Sequence, residues 1–366
     1  MKRSRSRSQP VLLTTLLLAV LLAACVGGDE SSSSSGGTEA STVTTRATRL
    51  SGTLNASGAT FPQAFYEEVI AGYKEAEPEV TINYSGGGSG KGRQEMQDMV
   101  VDFAGSDGLV KPEDVAKFKG GEFLYVPTIT APITVSYNLG DVEDLKLDAP
   151  TTAKIFQREI KQWDDAAVKA LNPGLKLPAT PITVVRRADG SGTTENFTRY
   201  LAAAAPGVWK LAPGSTVEWP ADTQGGNGNT GVAQAVKSAA GAIGYVDLSD
   251  AQAGGLKFAA LKNKAGKFVK ATVGGATAAL EGVTPNADLS YNPLDAAGEK
   301  AYPITAPTWI LVYKNQTDRA KADTIRSFLT YLLEDGQKVA PEIGYAPLPA
   351  SFRDKALAQL DNIVLP

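Results

Sequence analysis

The chain predicts an α/β protein of two lobes, on three observations. With an N-terminal leader and linker set aside, residues 51–366 remain, and at about 150 residues per domain they suggest two lobes. Within them, short β-rich runs (Val80-Thr81-Ile82-Asn83-Tyr84, Ile182-Thr183-Val184-Val185, Ile310-Leu311-Val312-Tyr313) alternate with amphipathic stretches and Gly/Pro punctuation. Finally, Ile129-Thr130-Ala131-Pro132 and Ile304-Thr305-Ala306-Pro307 repeat one tetrapeptide, each before a strand-like run. A pair so isolated is not a solenoid repeat. It reads either as coincidence or as two crossover strands that lie side by side and link the lobes.

The first 24 residues read as a secretory leader: Lys2, Arg3, Arg5 and Arg7 precede an apolar stretch from Val11 to Ala24, too short to span a bilayer. It ends in Leu22-Ala23-Ala24-Cys25, which resembles a bacterial lipobox and implies cleavage before Cys25 and lipid attachment to its sulfur. Losing four basic residues takes the net charge from −3 to −7. From Val26 to about Leu50 a Gly/Ser/Thr-rich stretch, with serine at 31–35, has too few apolar groups to offset its ordering entropy and predicts a flexible tether.

Composition excludes much chemistry. The chain has no histidine, so Ser-His-Asp and Cys-His nucleophiles and HExxH zinc sites are out. Cys25 is its single cysteine, which rules out intrachain disulfides, CxxC pairs and cysteine-rich metal sites. A near-neutral balance of 36 basic and 39 acidic residues gives no basis for a broad nucleic-acid-binding face.

Apolar spacing predicts three helices. Phe65, Val69 and Tyr73 follow Pro62, with Thr60 or a neighbour as cap; Met96, Met99 and Val100 follow Ser89; Phe197, Tyr200 and Leu201 follow Thr193. All these apolar positions read as core.

Four segments could carry chemistry. Gly58-Ala59-Thr60-Phe61-Pro62 is a turn feeding a helix whose early amides have no intrahelical partner. Ser85-Gly86-Gly87-Gly88-Ser89-Gly90-Lys91-Gly92 opens onto another helix, but it fits neither Walker A nor GxGxxG spacing. Val101-Asp102-Phe103-Ala104-Gly105-Ser106-Asp107 is a strand ending in a carboxylate, where Asp107 is a turn residue, a helix cap or a functional group. In Val184–Thr194 a strand delivers Arg187 to a Gly-Ser-Gly-Thr turn opening a helix, with Asp189 in reach to pair with the guanidinium. Helix amides, hydroxyls and a guanidinium make either an anion site or a plain capped loop.

Taken together, these four segments resemble the PstS family, the phosphate-binding proteins of bacterial phosphate ABC importers. Gly214-Ser215-Thr216-Val217-Glu218-Trp219-Pro220, the Gly225–Gly231 loop, Gly241-Ala242-Ile243-Gly244-Tyr245-Val246, Lys161-Gln162-Trp163-Asp164-Asp165 and Leu171-Asn172-Pro173-Gly174-Leu175 are similar to that family too, so the likeness covers residues 51–366 in order. It implies a type II periplasmic-binding-protein fold, two α/β lobes joined by two crossover strands, with lobe I at 51–128 and 303–366 and lobe II at 129–302. It also implies phosphate ligands: Thr60, the amide of Phe61, Ser89 and Asp107 from lobe I, and Arg187, Ser191, the amide of Gly192 and Thr193 from lobe II, with Asp189 behind Arg187. No cofactor, metal or catalysis is implied. The partners are inorganic phosphate, the importer's permease and ATPase, and the membrane through the lipid at Cys25; nucleic acid is not among them. Around Ser89, Gly87, Gly90 and Lys91 make the loop looser and more basic than the family form. Another tetrahedral oxyanion, sulfate or molybdate, and an exported phosphohydrolase using Ser89 or Ser191 remain the alternatives.

Overall fold

The computed structural model of the protein describes residues 49–366; the leader expected at 1–24, Cys25 and the linker as far as residue 48 lie outside the described residues. Strand β1 (Gly52–Gly58) buries Leu54 and Ala56 and ends at a position that only glycine can fill. Gly58 has φ +135°, and a Cβ there would lie 2.1 Å from the Gly105 carbonyl oxygen. Helix α1 (Gln63–Ala76) buries Phe65, Tyr66, Val69 and Tyr73, the stripe read from the sequence. Its cap differs from expectation. Pro62 occupies that position with no side-chain hydrogen bond to offer, and the Thr60 hydroxyl accepts instead from the distant Asn229 amide.

Strand β2 (Val80–Gly86) pairs parallel with β1, and helix α2 (Ser89–Gln97) leads to β3 (Phe103–Ser106) on the other side of β1. Of the three apolar residues expected as core here, only Met96 is buried. The helix stops at Gln97, Met99 takes a left-handed φ of 59°, and Met99 and Val100 are exposed, because the reversal into β3 turns them off the helical face.

Short α3 (Pro112–Val115) precedes β4 (Phe123–Tyr137), fifteen residues long and buried from Tyr125 onward. There follow β5 (Lys146–Leu147), α4 (Ala149–Phe156), α5 (Ala166–Leu171), β6 (Thr183–Arg187), α6 (Gly192–Ala204), β7 (Gln224–Gly226), α7 (Gly228–Ser238) and β8 (Ala242–Asp247). The chain continues through α8 (Leu248–Ala253), β9 (Lys257–Phe258), β10 (Ala260–Lys262), β11 (Phe268–Val269) and α9 (Val273–Ala279). It ends with β12 (Thr305–Tyr313), α10 (Arg319–Leu333), α11 (Gly336–Val339) and α12 (Ala350–Gln359).

The main sheet has the order β2-β1-β3-β12-β4-β8-β6-β7, with β9 also on β4; β11-β10-β5 form a small second sheet. Strand β4 joins the two halves of the main sheet. Residues 123–132 pair antiparallel with β12, while residues 133–137 pair with β8. The two repeated tetrapeptides lie directly opposite each other: Pro132 faces Thr305, Ala131 faces Ala306, Thr130 faces Pro307, and Ile304 accepts from the Ile133 amide at 2.8 Å. All nine residues of β12 are buried, which explains their continuous apolar run with no alternation. The result is two α/β lobes connected through adjacent strands.

Candidate functional site

Five strands deliver their carboxyl ends to one place, where an open α/β sheet places its ligands. From the first lobe come the ends of β1, β2 and β3; from the second, those of β6 and β7. Four helices of nine residues or more begin there, α1, α2, α6 and α7, and each brings amides that its own helix cannot satisfy.

In the first lobe, Phe61 is wholly buried, and its carbonyl accepts from the Tyr345 hydroxyl at 2.8 Å, which fixes the peptide leading into α1. Ser89 opens α2, and its Oγ accepts from the amides of Asp107 (3.1 Å) and Gly192 (3.2 Å) and donates to Asp107 Oδ2 at 3.3 Å. Asp107 is buried at the end of β3, and its Oδ1 accepts from the Thr308 hydroxyl at 2.9 Å. Burial pushes its carboxyl up to about 7, against the pull of Thr308 and Arg187.

In the second lobe, Arg187 ends β6 and is 3% exposed. Its Nε donates to Asp189 Oδ1 at 2.7 Å and its Nη2 to Asp189 Oδ2, a bidentate fork. Its Nη1 reaches Asn229 Oδ1 at 2.7 Å and Thr193 Oγ1 at 3.5 Å. Burial raises the Asp189 carboxyl, but the adjoining guanidinium outweighs it and holds the group below the usual carboxylate range. Ser191 is the N-cap of α6, accepting from the Thr194 amide at 3.1 Å. Beneath this turn Tyr245 stacks on Phe197 at 4.4 Å, and its hydroxyl bonds both Thr194 Oγ1 (2.6 Å) and the Arg187 amide (3.2 Å).

Hydrogen bonds tie the lobes across this cleft. The Gly90 amide donates to the Gly190 carbonyl at 2.9 Å, the Gly192 amide to Ser89, the Asn229 amide to Thr60 Oγ1 at 3.2 Å, and Asn196 Nδ2 to the Asp107 carbonyl at 2.7 Å. Thus all eight residues named as ligands (Thr60, Phe61, Ser89, Asp107, Arg187, Ser191, Gly192 and Thr193) lie around one junction, with Asp189 behind Arg187. Lys91 points elsewhere: its ammonium is 3.7 Å from Glu95 on the exposed side of α2.

Sequence reasoning missed Thr308, Asn196 and Asn229. Thr308 directly follows the second tetrapeptide, so pairing of β12 with β3, had it been foreseen, would have set it beside Asp107. Asn229 lay inside a loop quoted only as a glycine pattern. Among the described residues no group of three or more acidic, His or Cys side chains is placed to hold a metal ion, and no helix is long and apolar enough to cross a membrane.

A family model described as a PBP superfamily domain matches residues 39–335. The protein named phosphate-binding protein PstS from Methanocaldococcus jannaschii is 39% identical over 323 residues, covering 81% of this chain and 82% of that one. The chain belongs to the PstS family. Its likeness extends to a PstS of Xylella fastidiosa, 36% identical across 86% of this chain and 85% of the relative, and to PstS 3 of Mycobacterium leprae, 35% identical across 83% and 85%. Among solved structures, a phosphate-bound periplasmic phosphate-binding protein, PfluDING, superposes with a TM-score of 0.71 at 23% identity, covering 84% of this chain and 94% of that one. A phosphate-binding protein of Stenotrophomonas maltophilia gives 0.68 at 21%, with the same coverage. These two share the two-lobe fold.

Proposed function

We propose that this protein captures inorganic phosphate between its lobes outside the cytoplasm and delivers it to the permease and ATPase of an ABC importer, held at the membrane by lipid on Cys25. The observation that carries this reading is the convergence of four helix N-termini and one guanidinium on a cleft whose inner wall is a buried carboxylate. Family membership supports it, as do the phosphate-binding names of the relatives. We assign the Thr60 and Ser191 hydroxyls, the Phe61 and Gly192 amides, Ser89, Thr193 and Arg187 as oxygen-binding groups, with lobe I at 51–128 and 303–366 and lobe II at 129–302.

The chemistry follows from what each group can donate. Arg187 supplies the full positive charge and the amides and hydroxyls supply dipoles, with charge-assisted bonds contributing about 1.5–3 kcal/mol each before desolvation. Long-range steering adds little, because screening cuts it off within about 8–10 Å. Asp107 accepts from a protonated ligand oxygen, which phosphate has near neutral pH and sulfate lacks. The binding-protein names of the relatives, and a sequence with no histidine to activate Ser89 or Ser191, favour capture over hydrolysis.

Calorimetric titration of residues 51–366 with phosphate, arsenate and sulfate tests the reading. Phosphate is expected to bind at about micromolar or tighter, near −8 kcal/mol, arsenate to compete and sulfate to bind far more weakly. Tighter binding of sulfate or molybdate would overturn the ligand assignment. Turnover of a phosphomonoester would overturn the assignment as a binding protein.

A further inference from the structure

Asn229, at the second position of α7, is wholly buried where the lobes meet, and all its polar side-chain atoms are engaged. Its Oδ1 accepts from Arg187 Nη1 at 2.7 Å. Its Nδ2 donates to Asp247 Oδ2 at 2.8 Å and to Thr193 Oγ1 at 3.2 Å, and its backbone amide donates to Thr60 Oγ1 at 3.2 Å. Three of these four partners are phosphate ligands in the reading above, and Thr60 belongs to the opposite lobe.

The partners dictate which way the amide faces. A guanidinium can only donate, so it must meet the oxygen, and this leaves the nitrogen to donate to Asp247 Oδ2 and Thr193 Oγ1. Asp247 is itself fixed as the N-cap of α8, accepting from the Asp250 amide at 3.1 Å. Arg187 is consequently gripped on two edges, Nε and Nη2 by Asp189 and Nη1 by Asn229. With one edge free, the guanidinium plane could swing about the Asp189 fork. With both held, and Nη1 also reaching Thr193, its remaining Nη2–H keeps one direction.

We infer that Asn229 is a positioning residue for anion capture, which holds the Arg187 fork from the edge opposite Asp189 and, through its amide on Thr60, joins that orientation to lobe closure. This rests on the phosphate reading, so the test must separate the two. It is a double-mutant cycle on the intact soluble part, with inorganic phosphate as probe, calorimetry for affinity, stopped flow for dissociation and thermal melting as a control on folding. In the parent background Asn229→Ala is expected to weaken phosphate binding about 10- to 100-fold, chiefly through faster dissociation. In an Arg187→Lys background, where the fork is gone, the same change is expected to cost less than about threefold.

An equal loss in both backgrounds would mean that Asn229 acts independently of Arg187 and would overturn the inference, as would an Asn229→Ala protein that binds like the parent. A parent that binds no phosphate would overturn the functional reading, and this inference with it. Should Asn229→Ala not fold, Asn229→Ser takes its place in the cycle, with the same coupling expected.

Discussion

Asp107 is a carboxylate in a site otherwise composed of donors, and its environment explains how it is tolerated. Burial raises its folded value from 3.8 to about 7, so from about pH 4 upward the unfolded chain gives up this proton first. The stability contribution of the protonated group is therefore complete below about pH 4 and lost as pH rises through about 7. Ligand-free Asp107→Asn should consequently melt higher than the parent at pH 8, by at most about 4 kcal/mol, with the gap closing toward pH 4.5; a gap independent of pH would refute the burial argument. With ligand, the same substitution should raise sulfate affinity relative to phosphate, because the repelling charge is removed and a donor is supplied. An unchanged ratio in competition titrations would reduce Asp107 to a turn residue. Arg187→Ala should weaken phosphate binding by about 2–5 kcal/mol, since it removes the guanidinium and leaves the half-buried Asp189 carboxylate without its ion-pair partner next to the anion. Arg186→Ala should change little: neighbours on a strand point to opposite faces, and the Arg186 guanidinium lies against Thr223 and the Arg187 carbonyl. Equal affinity of the Arg187→Ala protein and the parent would refute the assignment.

At the scale of elements, the lobes approach so closely that a single methyl group can test closure. Gly192 begins α6 with an ordinary φ, so alanine there should suit the helix, yet its Cβ would lie 2.5 Å from Ser89 Oγ and 2.7 Å from Asp107 Cβ in the opposite lobe. Gly192→Ala should therefore leave the melting temperature of the ligand-free protein unchanged or slightly raised while weakening phosphate binding about tenfold or more. A coincident fall in both would show that the methyl disturbs the lobe itself and not the approach of the two. Legibility in the sequence follows the same division between local and distant contacts. The stripes Phe65/Val69/Tyr73 and Phe197/Tyr200/Leu201 were readable because helical spacing is a local property, and Arg187 with its turn because strand, glycine and cap are neighbours in the chain. The exposure of Met99 and Val100 was not, because it depends on where α2 stops. Nor was Asn229, whose partners lie 169, 42, 36 and 18 positions away; no local pattern distinguishes it from the other polar residues of its loop.

Across the whole molecule, what links the lobes divides into a permanent connection and a reversible one. The permanent connection is the tetrapeptides of β4 and β12, buried and paired in register. The reversible one is the group of cleft contacts at Gly90–Gly190, Ser89–Gly192, Thr60–Asn229 and Asp107–Asn196, joined at the rim by Arg93 and Glu195 at 4.0 Å. A net contribution of about 1 kcal/mol for each such hydrogen bond is small beside the rotational freedom recovered on opening. Ligand-free protein should then populate open forms, and an anion that engages both lobes should draw the population to the closed one by its differential affinity. Saturating phosphate is therefore expected to lower the radius of gyration measured by solution scattering and to leave the far-UV spectrum unchanged, since the hinge strands keep their pairing as the lobes rotate. Deleting residues 26–50 should alter neither this response nor the affinity, because every contact invoked lies beyond residue 50. Identical scattering curves with and without phosphate, in a protein that calorimetry shows to be saturated, would mean that the cleft is already closed before the anion arrives and that binding proceeds without lobe rotation.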